Sequence, residues 1–378
     1  MQWLESSIYD ILAVLCFYLI IASFIIYKRS KKELYFQSGA FLVRSKLIEN
    51  LIDKLAYIAK NNLFMMLFVF TCVCIFPYIF QTIEYIFYSI TFKILGIIKQ
   101  PIVSIVIPGL TKVGYVKLPF LEGILSIFIL AIIHEVSHGI IAKRYNLKIR
   151  KAGFGLFVFI PLAYVDIDDK ELKKIDIKDR IKIYFAGSAA NIVFAIFLSF
   201  ILSFTFYPFF NHAIKERYVK IMSVDEGSPA YYFGLSEGEI IREINNKKIM
   251  SIRDLISVFN EFKPGDIIYL KTDKGNYTIA LANRNGKSYL GIRVKEEFIL
   301  RYSPYINHLL MFMSSFFYWL IFLNFNIGVV NLFPIFITDG GKIILELFED
   351  LKKRKIGILI NSFGLVLLLF AILVSYVI

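Results

Sequence analysis

Long apolar runs separated by short basic segments dominate the hydrophobic pattern of this chain. A run of about 20 apolar residues is long enough to cross the hydrocarbon core of a bilayer as a helix. Six runs approach or exceed that length, at residues 8–27, 63–80, 120–142, 183–206, 305–330 and 357–378. The pattern therefore predicts a polytopic α-helical membrane protein with about six transmembrane helices.

The segments between these runs follow other periodicities. Residues 41–60 place apolar side chains at helical spacing among lysine and glutamate, which predicts an amphipathic helix on the membrane surface or against the protein's own cytoplasmic face. Residues 153–168 are too short to cross as a helix and too apolar for a free loop, so they predict a re-entrant β-like element that lines a cavity. Residues 218–297 are charged and rich in turns, with one helix predicted at 252–262, which indicates a soluble α+β insert.

Five parts follow from this pattern. We expect a first transmembrane helix with a basic cytoplasmic amphipathic segment at 1–62, and a second transmembrane helix with a membrane-associated linker at 63–119. A membrane core in two pieces, 120–212 and 299–378, flanks the insert at 213–298. The first apolar run follows neither a basic segment nor a small-residue cleavage signature, so we expect it to be retained as an anchor.

Composition and charge agree with a membrane location. Hydrophobic residues make up 57% of the chain and mean hydropathy is +0.64, whereas a soluble domain is about 45 to 50% apolar. The net charge of +13 is typical of nucleic-acid partners, but the lysines and arginines flank the apolar runs, as the positive-inside rule predicts. We therefore expect no nucleic-acid partner, an N-terminus outside the cytoplasm, and an insert on the non-cytoplasmic side.

One apolar run carries a polar motif near its C-terminal end. The stretch A-I-I-H-E-V-S-H-G places His134, Glu135 and His138 in the third predicted span. At helical spacing the two histidines lie one turn apart, so both imidazoles can bind one ion while Glu135 lies beside the open coordination position. HExxH also occurs by chance in helices, but ionisable side chains at bilayer depth are costly and default to functional sites. The motif therefore predicts a catalytic zinc site in which Glu135 takes a proton from water.

Two further polar positions lie in or beside predicted spans. Asp339 follows the helix-breaking Pro334 and precedes Gly340, and two interpretations stay open: a ligand to the same ion, which the HExxH in another span favours, or a helix cap. Asn191, near the start of the fourth span, can orient substrate or the metal-bound water, and an interhelical hydrogen bond explains it equally well.

The insert resembles a known peptide-binding domain. Its segments V-D-E-G-S-P-A, G-L-S-E-G-E-I-I-R-E-I-N, D-L-I-S-V-F and K-P-G-D-I-I-Y-L are similar to those of PDZ domains in membrane-associated proteases. PDZ domains add an extended peptide as a strand at an exposed sheet edge. The resemblance implies recognition or exclusion of substrate, with a passive spacer as the alternative.

The order of these motifs resembles the site-2 protease family of intramembrane zinc metalloproteases. HExxH stands in one span, the PDZ-like insert follows, and N-x-x-P-x-x-x-x-D-G begins in a later span. The resemblance implies zinc bound by His134, His138 and Asp339. It also implies that Glu135 is general base and acid and that Asn331 is a substrate or oxyanion contact. The chain departs from the commoner bacterial pattern at Ser137, Ser188, Phe336, Thr338 and Lys342.

Together these features predict an intramembrane zinc metalloprotease that hydrolyses peptide bonds within or near the transmembrane helices of substrate proteins. We expect zinc-activated water with Glu135 as general base, and residues 157–164 as a clamp that holds the unwound substrate as an added strand. Expected partners are transmembrane protein substrates, the lipid bilayer and an extended peptide at the insert. Two alternatives are a proteolytically inactive zinc-binding membrane scaffold with a PDZ partner-binding domain, and a metal transporter. We expect a multi-pass cell-membrane protein whose active site lies towards the cytoplasmic side.

Overall fold

The structure is a computed structural model that describes residues 15–23, 26–27, 34–37, 39–98, 101–103, 106–109, 118–157 and 160–377. Its helices, after a helical segment at 15–23, are α1 (Lys46–Ala59), α2 (Asn62–Ile94), α3 (Phe120–Arg144), α4 (Asp169–Leu172), α5 (Ile177–Phe204), α6 (Phe206–Ala213), α7 (Pro229–Tyr232), α8 (Ile252–Phe259), α9 (Pro304–Val330), α10 (Asp339–Asp350) and α11 (Arg354–Val377). Its strands are β1 (Leu34–Gln37), β2 (Ala40–Arg44), β3 (Ile149–Phe157), β4 (Ile160–Ile167), β5 (Ile214–Val224), β6 (Ile240–Ile244), β7 (Lys247–Lys248), β8 (Ile267–Thr272), β9 (Asn276–Ala280), β10 (Ala282–Arg284), β11 (Lys287–Tyr289) and β12 (Ile292–Leu300).

Five helices of the described chain are long and apolar enough to span a membrane, namely α2, α3, α5, α9 and α11. The most buried of these are α5 and α3: 50% and 39% of the residues in their most apolar stretch are buried, against 11% for α2. The two buried helices therefore form the centre of the membrane part, and the others present apolar side chains outwards. Most of the predicted first span, 8–27, lies outside the described residues. The chain is a multi-pass membrane protein that also contains β structure.

The second span is longer than its sequence pattern predicts. The pattern predicts a span at 63–80 that Pro77 kinks or ends, but α2 continues through this proline to Ile94. A proline is tolerated within a membrane helix because neighbouring groups can satisfy the carbonyl that it leaves free. The aromatic segment after Pro77, whose form the pattern does not define, is therefore largely helix.

The amphipathic segment differs from the prediction at its start. Residues 40–44 form β2, and α1 begins only at Lys46, where the Ser45 side chain accepts a hydrogen bond from the Ile48 amide. The apolar face of α1 packs on α3, and a Cβ added at Gly139 would lie 2.9 Å from Ile52. Of the two predicted placements, α1 thus has the one against the protein's own surface.

Four antiparallel strands, β1, β2, β3 and β4 in that order, form one sheet beside α3, so the predicted β-like element is the hairpin of β3 and β4. The Ser45 amide donates to the Ala152 carbonyl at 2.9 Å, so Ala152 directs its backbone N–H and C=O towards β2. Val165, its register partner, then directs its N–H and C=O away from β3, and so by alternation does Ala163. Pro161, two residues before Ala163, faces the same way and has no N–H. The outer side of β4 is the edge of the sheet.

Residues 202–311 form a second compact unit. It has a six-stranded sheet in which β12, β5, β6, β8 and β9 lie side by side and β7 pairs with β6. Its core is apolar, with Val219, Ile241 and Ile268 fully buried. Helix α8 is closed at its N-terminus by a capping box of Ser251 and Asp254. Strand β12 lies at one end of the sheet, and its Glu296 accepts a hydrogen bond from the Ile252 amide at the start of α8.

Candidate metal centre

Helix α3 holds the HExxH motif among apolar residues. Because His134 and His138 are four residues apart, both rings leave the same face of the helix, and their Nε2 atoms lie 3.1 Å from each other. His138 is buried and His134 is half-buried. Two imidazole nitrogens thus point to one place in the interior of the membrane part.

The third donor, Asp339, is the first residue of α10. The Thr338 side chain caps α10 by accepting from the Gly341 amide, which leaves the Asp339 carboxylate in the first turn free of a capping role. The predicted alternative, in which Asp339 is the cap, is therefore wrong. A Cβ added at Gly340 or Gly341 would overlap the backbone of Leu332 or Ile335, so only glycine lets this turn fold so tightly.

The three donor atoms form a nearly equilateral triangle. Asp339 Oδ2 lies 3.1 Å from His134 Nε2 and 3.2 Å from His138 Nε2. Ligands at about 2.0–2.1 Å from a tetrahedral zinc ion are separated by about 3.3 Å, so the triangle has nearly the size of one face of such a tetrahedron. Two neutral imidazoles and a carboxylate are also a donor set that zinc accepts. These residues fit a metal ion.

Helix α5 lies directly behind the two imidazoles. His138 Nδ1 is 2.7 Å from the Ile183 carbonyl oxygen, and His134 Nδ1 is 3.2 Å from the Asn191 amide nitrogen. Between them lies Gly187, where an added Cβ would be 2.5 Å from both His134 Cε1 and His138 Nε2. The close approach of α5 to the histidines therefore depends on a glycine at this position.

Glu135 stands apart from the triangle of donors. Its Oε2 accepts a hydrogen bond from the Val165 amide of β4 at 3.2 Å. Val165 turns this N–H away from β3, so the carboxylate is held at the edge of the sheet. The Glu135 carboxylate is therefore not one of the three donors that lie together.

Two more side chains contact Asp339. The Asn331 amide nitrogen donates to Asp339 Oδ2 at 2.7 Å and lies 3.1 Å from His134 Nε2, so it faces the centre of the site. Lys342 Nζ lies 3.1 Å from the other oxygen, Oδ1. Asp339 therefore uses one oxygen towards the histidines and the other towards a lysine, which favours a single-oxygen ligand.

The structure brings together five of the six residues that the sequence nominates, with His134, His138, Asp339 and Asn331 in mutual contact and Asn191 behind His134. The sixth, Glu135, follows His134 in α3, and its carboxylate contacts the Val165 amide. Sequence reasoning missed three contributors: Gly187, the Ile183 carbonyl and the Val165 amide. The small-residue stretch A-G-S-A-A-N was a signal for close packing near Gly187. Backbone donors and acceptors have no sequence signal.

The arrangement defines a class: a multi-pass membrane protein with a buried His-His-Asp metal centre built on HExxH. The profile of peptidase family M50 matches residues 122–371, a stretch that contains the whole centre. The chain belongs to this family, the site-2 protease family, whose members are metalloproteases.

Individual proteins that are similar to the chain say less about its family than the profile does. An uncharacterized protein of Methanocaldococcus jannaschii is 34% identical over 258 residues, and the match covers 67% of this chain and 64% of that protein. The chain thus spans just under two thirds of this relative's length. The PDZ domains of SdrC-like proteins from Listeria monocytogenes and Listeria innocua match with 27% and 28% identity and a TM-score of 0.19 each. Each match covers 20% of this chain, and 85% and 92% of the respective domains.

Proposed function

We propose that the chain is an intramembrane zinc metalloprotease of the site-2 type, which hydrolyses peptide bonds within or near the transmembrane helices of its substrates. The observation that carries this proposal is the donor triangle of His134, His138 and Asp339, together with Glu135, the neighbour of His134 in α3, whose carboxylate is held outside the triangle by the Val165 amide. A purely structural site has no use for such a carboxylate. A closed structural zinc site also has four protein ligands, whereas the described part of the chain brings three together here.

The roles of the side chains follow from their positions. Zinc, when bound, supplies Lewis-acid polarisation of the scissile carbonyl and of water. Glu135 accepts a proton from the attacking water and returns it to the leaving amine. Asn331 directs its amide nitrogen into the centre of the site and donates a hydrogen bond to the oxygen that becomes negative during attack.

Substrate binding is proposed at the edge of β4. A peptide bond in a helix is shielded by its own hydrogen bonds, so the substrate must unwind locally before it is cut. The outward N–H and C=O groups of Ala163 can pair with the unwound segment as an added strand. The same edge holds Glu135 through Val165, so a strand bound there lies next to the base. Val158 and Phe159, part of the predicted clamp, lie outside the described residues.

The second compact unit is proposed to be a PDZ domain at 213–298, on the non-cytoplasmic side. Its motifs support this assignment, and so does the position of β12 at one end of the sheet with α8 beside it, a layout suited to peptide addition. We propose that it binds an extended substrate tail or restricts access of large substrates. The metal centre is proposed to lie towards the cytoplasmic side, because basic residues follow α3 directly.

One comparison tests the proposal. Purified wild type and Glu135→Gln are each incubated with a synthetic transmembrane peptide in detergent or vesicles, and cleavage and zinc content are measured in both. We expect equal zinc in the two proteins and cleavage by the wild type alone, because the substitution keeps the size of the side chain and removes its basicity. Cleavage by Glu135→Gln at the wild-type rate would refute the role of the base. Equal zinc with no cleavage by either protein would favour the inactive scaffold.

A further inference from the structure

We propose that Asn191 is a positioning residue that fixes the tautomer and orientation of His134, so that one stripe of α5 prepares both imidazoles to bind the metal ion. The inference rests on the proposed function only in taking His134 as a metal ligand. It assigns Asn191 to the support of a ligand, and not to substrate or water.

The stripe consists of residues 183, 187 and 191, which succeed each other at intervals of four and so share one face of α5. The two histidines of α3 have the same spacing. His138 meets the Ile183 carbonyl, His134 meets the Asn191 side chain, and Gly187 leaves room for both rings. Each imidazole thus has one partner on α5 for its Nδ1 atom, and each turns its Nε2 atom towards Asp339.

A neutral imidazole that binds a metal ion through Nε2 carries its proton on Nδ1 and needs an acceptor there. For His138 the acceptor is the Ile183 carbonyl oxygen, which can only accept. For His134 the matching acceptor is the Oδ1 atom of Asn191. This side chain is 0% exposed, and its Oδ1 has no hydrogen-bond partner in the described part of the chain, while its nitrogen faces His134 Nδ1.

A half-turn of the amide brings Oδ1 to His134 Nδ1 and gives the orphaned oxygen the N–H that it lacks, at no change in shape, while the nitrogen moves to the position that the oxygen leaves. With the nitrogen facing Nδ1, the ring proton must sit on Nε2, which then cannot bind an ion. The amide orientation and the metal-competent tautomer of His134 are therefore coupled, and metal binding selects the orientation with the oxygen inward.

Two substitutions of nearly equal size separate this role from packing. Asn191→Leu removes the acceptor, and Asn191→Asp presents oxygen in either orientation. Both are made in the Glu135→Gln background, so that proteolysis does not enter the readout. The probe is Zn²⁺ alone, and its affinity is measured by competition with a zinc-binding dye in detergent. We expect Asn191→Leu to bind zinc about 10- to 100-fold more weakly, as is typical for loss of a partner behind a ligand, and Asn191→Asp to bind at least as tightly as the parent.

Asn324 provides the matched control, because it is also fully buried in a membrane helix and, within the described residues, its side chain makes one hydrogen bond, which its amide donates to the Leu320 carbonyl of its own helix. Asn324→Leu should leave zinc affinity unchanged. A zinc affinity of Asn191→Leu equal to that of the parent would overturn the inference. A tenfold or larger loss of zinc affinity in Asn191→Asp would also overturn it, and this second measurement decides the question even if the leucine variant does not fold. A His138→Ala variant that still binds zinc as the parent does would instead contradict the proposed metal site itself.

Discussion

Replacing Gly187 with alanine should damage the metal centre without removing any donor atom. The new Cβ would lie 2.5 Å from His134 Cε1 and from His138 Nε2, whereas carbon atoms in contact prefer about 3.5–4.0 Å. Either the rings or α5 must therefore move by about 1 Å, and metal sites tolerate ligand displacements of only about 0.2 Å. Overpacking of this kind costs about 1–3 kcal/mol, which corresponds to a loss of about 5- to 150-fold in zinc affinity if the strain falls on the ligands.

The assay is zinc competition in detergent, with thermal unfolding recorded with and without Zn²⁺. Gly123→Ala is the matched control, because its Cβ would crowd the Leu118 side chain at 2.7 Å near the start of α3, about three helical turns before His134. We expect Gly123→Ala to lower thermal stability and keep zinc affinity. We expect Gly187→Ala to lose zinc affinity and most of the stabilisation that zinc provides. Wild-type zinc affinity in Gly187→Ala would refute the reasoning from close approach.

Two further substitutions test the surroundings of the site. Lys342→Met should weaken zinc binding by up to about fivefold in a zinc competition assay, because a pair in which the lysine side chain is 48% exposed contributes at most about 1 kcal/mol to holding Asp339. Lys342→Arg keeps the positive charge, so a zinc affinity of Lys342→Arg as low as that of Lys342→Met would argue against this pairing. Ala163→Pro should abolish cleavage of a transmembrane peptide with zinc content unchanged, because it removes an outward N–H from the edge of β4 at a position in phase with Pro161. Undiminished cleavage by Ala163→Pro would exclude strand addition through that amide.

The sequence predicted five of the spans that the structure describes and the three donors that lie together, because both depend on side-chain type and local spacing. The helical interval of HExxH and the position of Asp339 after a proline break were sufficient to nominate the donors that lie together in the structure. The insert was recognisable because its charge and turn residues differ from those of the membrane runs. Each of these signals is read within one segment of the chain.

What the sequence could not supply depends on contacts between distant segments. Strands β1 and β2 are short and lie between a basic cluster and a helix, so nothing local indicates that they complete the sheet of β3 and β4. The continuation of α2 past Pro77 depends on the surroundings of the helix and not on its own residues. The Glu135 carboxylate and the Nδ1 atom of His138 meet backbone groups of Val165 and Ile183, and almost every residue type carries such groups.

Small residues around the site let the segments that carry the donors pack closely together. Lipid tails are as apolar as leucine, so helices in a bilayer associate through close packing and hydrogen bonds and not through removal of apolar surface from water. Glycines stand where the backbones of this site approach most closely: Gly187 against the histidines, Gly328 against α5, and Gly340, Gly341 and Gly364 against the turn after α9. A side chain at any of these positions would separate the segments that carry the donors. The same residues that let the helices pack in lipid therefore set the distances between His134, His138 and Asp339.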